Sequence, residues 1–301
     1  MKVKIILFAS LSLLFSRASL YSQQTETVKD FVFTERVQTA PESVFNKFKE
    51  AGMEPTEHIL TVSEAQIVNH AFFLLPPLHQ KILKEHLYSI SFMDNMPNTA
   101  LTSPVEFSDS GKMFNITCRA EVINETISQW ATWKENTYYS STGNDEYQLK
   151  IEAGTMDAFT YILLHEATHI VDGILHISAN QQKKPKSFTA NIWVKMNEPN
   201  QKATNGILET SRFRNGKPLP LSASPAIYKA LSKSPFVSLY SMASWHEDLA
   251  ELVTIYHLTQ KLNQRYRLVI EKNGANVMAY EPYSNRRVLK RQGVMKMFYK
   301  Q

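Results

Sequence analysis

Residues 155–175 read TMDAFTYILLHEATHIVDGIL, an apolar run with Gly154 before it and few charges inside. Length and composition predict a helix buried in the core. Within it stands His165-Glu166-Ala167-Thr168-His169, an H-E-x-x-H string. At about 3.6 residues per turn the two histidines lie one above the other on one face, so both imidazoles can reach a single tetrahedral ion. Asp172 and His176 are expected to continue that row, while Ile162, Leu163, Leu164, Ile170, Val171, Ile174 and Leu175 cover the rest of the circumference. Buried ionisable groups are costly unless paired or metal-bound, which favours a metal site over a solvent-facing polar stripe.

A catalytic zinc takes three protein ligands and keeps an open position. No histidine follows His169 at the spacing of another zincin class, because residues 174 and 175 are Ile and Leu. A second long helix, expected over Ala243–Leu262, carries Trp245-His246-Glu247-Asp248-Leu249-Ala250-Glu251. Glu247 and Glu251 share a face there, among Leu249, Leu252, Val253, Ile255 and Tyr256. Glu247 is the expected third ligand. Glu251, deeper in the apolar run, is expected to receive the N–H of a metal-bound imidazole, and Asp172 is given a similar supporting place. One Zn2+ per chain is the cofactor this implies. His246 and His257 read as packing or surface residues, and Cys118 as a small buried hydrophobe.

Outward from these helices, further helices are expected at Pro41–Ala51, at Ser63–Leu74 with Ser63 and Gln66 as a capping box, at Pro77–Leu87 and at Glu125–Lys134. Alternation marks strands at Tyr88–Met93, Met113–Ile123 and Tyr147–Ile151, the second a candidate edge along which a peptide adds. Asn180–Pro225 reads as loop with short strands such as Phe188–Val194. A hairpin over Tyr266–Glu281 turns at Asn273-Gly274, before a basic terminal helix. The fold class expected is α+β, with residues 23–75 as an N-terminal helical segment and 76–301 as the catalytic domain.

The first residues read as an address. Lys2 and Lys4 precede an apolar stretch from Ile5 to Phe15, too short for the ~20 residues of a membrane span but suited to a secretory signal. Residues 1–22 are therefore expected to be removed, leaving an exported, secreted or periplasmic protein without a stable membrane span. The formal charge of +5 then falls by Lys2, Lys4 and Arg17 to +2, too little to suggest a nucleic-acid partner. The basic residues after Glu281 read as a solvated face. One cysteine in 301 residues excludes an intramolecular disulfide and a Cys-rich metal site. No G-x-G-x-x-G or P-loop string occurs, which argues against a nucleotide enzyme.

His165-Glu-Ala-Thr-His169-Ile-Val-Asp172, followed by Tyr240-x6-Glu247-x3-Glu251, resembles the gluzincin peptidases of the anthrax lethal factor catalytic-domain type, a group that includes the Pro-Pro endopeptidases. The resemblance implies a zincin-like domain with a small sheet over the H-E-x-x-H helix and a mostly helical lower half. It also implies a zinc endopeptidase acting on a peptide or protein substrate. His165, His169 and Glu247 would be the ligands, Glu166 the general base and Tyr240 the transition-state stabiliser. The sequence departs from the family pattern at Ser244, where an asparagine is usual. Two rivals stay open, an inactive zinc-binding protein of the same fold and a non-peptidase zinc hydrolase.

Overall fold

In the computed structural model of the chain, which describes residues 31–105, 111–140, 146–178, 187–204, 206–211 and 217–300, the apolar run 155–175 is helical from Ala158. The expected signal segment 1–22 lies outside the described residues. In chain order come α1 (Glu42–Glu50), β1 (Thr56–Glu57), α2 (Val62–Leu74), α3 (Pro77–His86), β2 (Leu87–Asp94), β3 (Ala100–Pro104), β4 (Phe114–Arg119) and α4 (Ile127–Asn136). Then follow β5 (Tyr139–Ser140), β6 (Tyr147–Glu152), α5 (Ala158–Leu175), β7 (Trp193–Lys195), β8 (Glu198–Pro199), α6 (Ile207–Thr210) and β9 (Leu219–Pro220). The C-terminal part holds α7 (Ser224–Leu231), α8 (Trp245–Gln260), β10 (Arg267–Lys272), β11 (Ala275–Tyr280) and α9 (Arg286–Leu289). The class is mixed α+β with small sheets.

Four strands form the larger sheet in the order β1-β2-β4-β3, with β2 and β4 parallel and the outer pairings antiparallel. The inner strands are apolar where they face core, through Leu87, Ile90, Phe92, Ile116 and Cys118. Their buried polar residues pair across the ladder, Ser89 Oγ to Asn115 Oδ1 at 2.6 Å and Ser91 Oγ to Thr117 Oγ1 at 3.0 Å. Phe92 meets Phe159 of α5 at 5.6 Å between ring centroids, tying sheet to helix. Along α5 every residue from Ala158 to Thr168 is buried, the helix packing also on α8, α3 and α2. Asp157 caps α5 by accepting the N–H of Thr160 at 2.7 Å, which starts it three residues later than the apolar run.

Several expectations change. The capping box of α2 is Thr61 with Glu64, because Glu64 also receives Asn124 Nδ2 at 2.9 Å and faces His58, contacts invisible locally. Strand β4 stops at Arg119, where the chain tightens into a 3-10 turn over Ala120–Ile123. It lies inside the sheet, so the edge is β3 instead, a strand that sequence alternation does not reveal. His176 takes a left-handed backbone (φ 52°), ends α5 and points to solvent, so the polar row stops at Asp172. Within Asn180–Pro225 the short strands among the described residues are Trp193–Lys195, Glu198–Pro199 and Leu219–Pro220 rather than Phe188–Val194, and α7 begins at Ser224. The expected boundary at 75/76 runs through packing, since α2 rests on α5 and residues from Val32 onward form one unit. Among the described residues no helix is long and apolar enough to cross a membrane.

The chain end is no free basic helix. After α9 it winds as a 3-10 helix over Gln292–Tyr299, and Arg291 between them is buried. Its guanidinium forks onto the fully buried Asp248 at 2.8 and 2.6 Å and onto Pro235 O at 2.9 Å. Trp193 Nε1 donates to the same carboxylate at 2.8 Å. Asp248 lies in the first turn of α8, so one ion pair fastens the C-terminus to the helix that carries Glu247. Removing one member of a buried pair strands the other charge, typically at about 3–5 kcal/mol. Arg291→Met is expected to lower unfolding free energy by that amount in a denaturant titration, and a curve within about 1 kcal/mol of wild type would dismiss the pair as a fastener.

Candidate metal centre

Two helical four-residue spacings meet at the centre of the molecule. His165 and His169 of α5 face Glu247 and Glu251 of α8. His165 Nε2 lies 3.0 Å from Glu247 Oε2, His169 Nε2 lies 3.4 Å from the same oxygen, and the two Nε2 atoms are 3.2 Å apart. Among the described residues this trio is the group whose donor atoms can hold a metal ion. The spacing suits a four-coordinate cation, since bonds of about 2.0–2.2 Å place tetrahedral ligands roughly 3.3–3.6 Å apart. Two imidazoles and a carboxylate are also the donor types zinc prefers.

Ser244 builds the carboxylate's position. Its hydroxyl caps α8 by accepting the N–H of Glu247 at 3.2 Å, which fixes the first turn of the helix. Below it, Glu251 is buried and fully engaged. Its Oε1 receives Tyr161 OH at 2.8 Å and Lys134 Nζ at 3.2 Å, and its Oε2 receives Ser238 Oγ at 2.6 Å. The same Oε1 stands 3.2 Å from His165 Nδ1, obliquely to the ring N–H, and no other acceptor reaches that nitrogen. Glu251 is thus placed to orient the His165 ring. Burial alone would raise its pKa, but Lys134, His165 and Ser238 outweigh it and hold the carboxyl at about 2.

Glu166 is buried on the same turn as His165, and its Oε2 receives Thr102 Oγ1 of β3 at 2.6 Å. Thr102 joins this cluster although no local pattern marks it. Tyr240 belongs to a 3-10 turn before α8 and stacks on His165, with centroids 5.8 Å apart and planes at 25°. Burial, then the carboxylates of Glu247, Glu166 and Glu251, push its hydroxyl well above the ordinary tyrosine range, so it remains a donor. Asp172 plays a different part from the one expected. Its carboxylate takes Ser178 N at 2.8 Å, Ser178 Oγ at 2.5 Å and His246 Nδ1 at 2.6 Å, and so ties the end of α5 to the start of α8. His246 is therefore anchored beside Glu247, and His257 packs between Tyr299 and the Leu74 carbonyl. Cys118 is buried, as expected.

The trio opens into a cleft of about 1020 Å³. Its lining includes residues of β3, Trp130 and Trp133 of α4, and Pro218-Leu219. No family model matches the chain, and neither a curated protein nor a solved structure is significantly similar to it.

Without metal, His165 keeps a proton. Burial would remove it, but the Glu247 and Glu251 carboxylates overcome burial and raise the pKa from 6.5 to about 10. That interaction stabilises the metal-free fold fully below about pH 6.5 and fades as pH approaches 10. Because Nε2 must be bare to coordinate, zinc uptake at pH 7.5 is expected to release at least one proton, with affinity rising with pH over this window. Titration calorimetry in buffers of different ionisation enthalpy reads that number directly. A value of zero would mean that His165 is already unprotonated in the metal-free protein at this pH.

Proposed function

We propose that the protein is an exported zinc-dependent endopeptidase of zincin-like fold, related in mechanism to the gluzincins it resembles. The observation that carries the proposal is Glu166, a buried carboxylate that is no member of the trio, held by Thr102 at the floor of a peptide-sized cleft. A purely structural metal site needs ligands and has no use for such a base. Ser244 fits the resemblance despite departing from it, because serine and asparagine are about equally good helix caps. Export is proposed on the Lys2–Phe15 pattern.

A peptide substrate is favoured by the outer edge of β3, which pairs with no strand among the described residues. Arg119 N–H bonds to Thr99 O and Val105 N–H to Met113 O, so the odd-numbered residues of this stretch turn their peptide groups toward β4. Ala100, Thr102 and Pro104 consequently present theirs to the cleft side. An extended peptide can pair there, with its scissile bond brought beside Glu166.

Zinc bound by His165, His169 and Glu247 would supply Lewis acidity and lower the pKa of the attacking water. Glu166, with Oε2 fixed by Thr102, takes the water's proton on its other oxygen and returns it to the departing amine. Tyr240 keeps its hydroxyl proton and donates to the oxygen that becomes negative in the transition state.

Cleavage-site profiling with a peptide library, run beside Glu166→Gln, tests the proposal. The variant should keep about one zinc per chain and lose activity by orders of magnitude. Loss of zinc would reassign Glu166 as a ligand, and no cleavage by wild-type zinc-loaded protein would sink the peptidase reading. Glu247→Ala should abolish tight zinc binding, whereas Glu251→Ala should weaken it roughly 10–100-fold. The opposite order in a competition assay would exchange the two carboxylates' roles. Tyr240→Phe should lower kcat by about 10²–10³ with zinc content and KM nearly unchanged, and wild-type turnover would remove Tyr240 from the reaction.

A further inference from the structure

Lys134 stands in the last turn of α4 with most of its side chain buried against the site. Its ammonium is 3.2 Å from Glu251 Oε1 and 4.2 Å from the centroid of the Tyr240 ring. Trp130 and Tyr161 complete the aromatic surroundings at 5.1 and 5.8 Å. Glu251 and Tyr240 are the two groups that flank His165, the first beside Nδ1 and the second stacked on its ring. One cation therefore touches both neighbours of a ligand without reaching the trio itself.

We infer that Lys134 is a positioning residue that holds the Tyr240 ring in place and balances the charge of Glu251. The inference rests on the zinc-peptidase reading for its kinetic consequence, though its structural part does not. Three carboxylates, Glu166, Glu247 and Glu251, converge on the centre, and a divalent ion leaves one negative charge uncompensated. Lys134 supplies the missing positive charge. The Tyr240 ring is stacked on His165, and the ammonium near its centroid adds a contact with direction. Loss of the lysine would leave the ligands intact and let the ring leave its stack on His165.

The test pairs kinetics with a signal independent of turnover. At saturating zinc, Lys134→Met should hold about one zinc per chain, melt lower because the buried Glu251 loses its counterion, and lose about 2–30-fold in kcat with little change in KM, the range a partly desolvated cation–π contact supports. Lys134→Arg should recover most of the loss, since it keeps the charge and stacks on aromatic faces. In a Tyr240→Phe background Lys134→Met should cost much less, because contacting residues acting on one step are not additive. With Cζ-labelled tyrosine, the Tyr240 NMR signal, assigned from Tyr240→Phe, should shift in Lys134→Met and stay near its wild-type place in Lys134→Arg. Wild-type kcat in Lys134→Met, or an equal loss in both backgrounds, would overturn the inference. Should the wild-type protein cleave no peptide, the NMR arm still decides, an unmoved Tyr240 signal in Lys134→Met overturning it. Lys134→Gln provides the same reading if the methionine variant fails to fold.

Discussion

The meeting of α5 with α8 is the contact on which the centre of the molecule depends. Each helix contributes two polar residues four positions apart, and apolar packing brings the two pairs face to face. Four ionisable groups in so small and buried a volume would be untenable singly. They persist because each compensates another, and because Tyr161, Ser238 and Lys134 complete the bonding of Glu251. The surrounding structure keeps the two helices in register. Asp172 joins their near ends through His246, and Arg291 clamps the first turn of α8 from the C-terminal side.

How much of this was legible varies with the range of the interactions. The H-E-x-x-H helix and the Glu247/Glu251 pair followed from helical period and from charge embedded in apolar sequence, which are local signals. The α+β class and most helix positions followed in the same way. Thr102 and Lys134 did not, because what gives each its importance lies far away in the chain, at Glu166 for one and at Tyr240 and Glu251 for the other. The five-residue β3 lacks a legible alternation, and its place at the sheet edge depends on pairing with β4.

The errors share a physical source. Ser63 and Gln66 satisfy the pattern of a capping box, yet Thr61 and Glu64 win because His58 and Asn124 also bind Glu64. Arg291 reads as one of several surface cations until Asp248 is found beneath it. His176 continues a helical row on paper, but the backbone turns left-handed there and carries it out to solvent. In each case local propensity was sound and a tertiary partner decided the outcome.

The outer edge of β3 also bears on colloidal behaviour. A sheet margin with unsatisfied peptide groups is a template for joining other molecules edge to edge. Here the margin is brief, and Pro104 at its end offers a carbonyl but no N–H. It also lines the cleft, together with Trp133 and Pro218. Among the described residues no strand pairs with the outer side of β3, and its brevity and the proline at its end are features that discourage such joining.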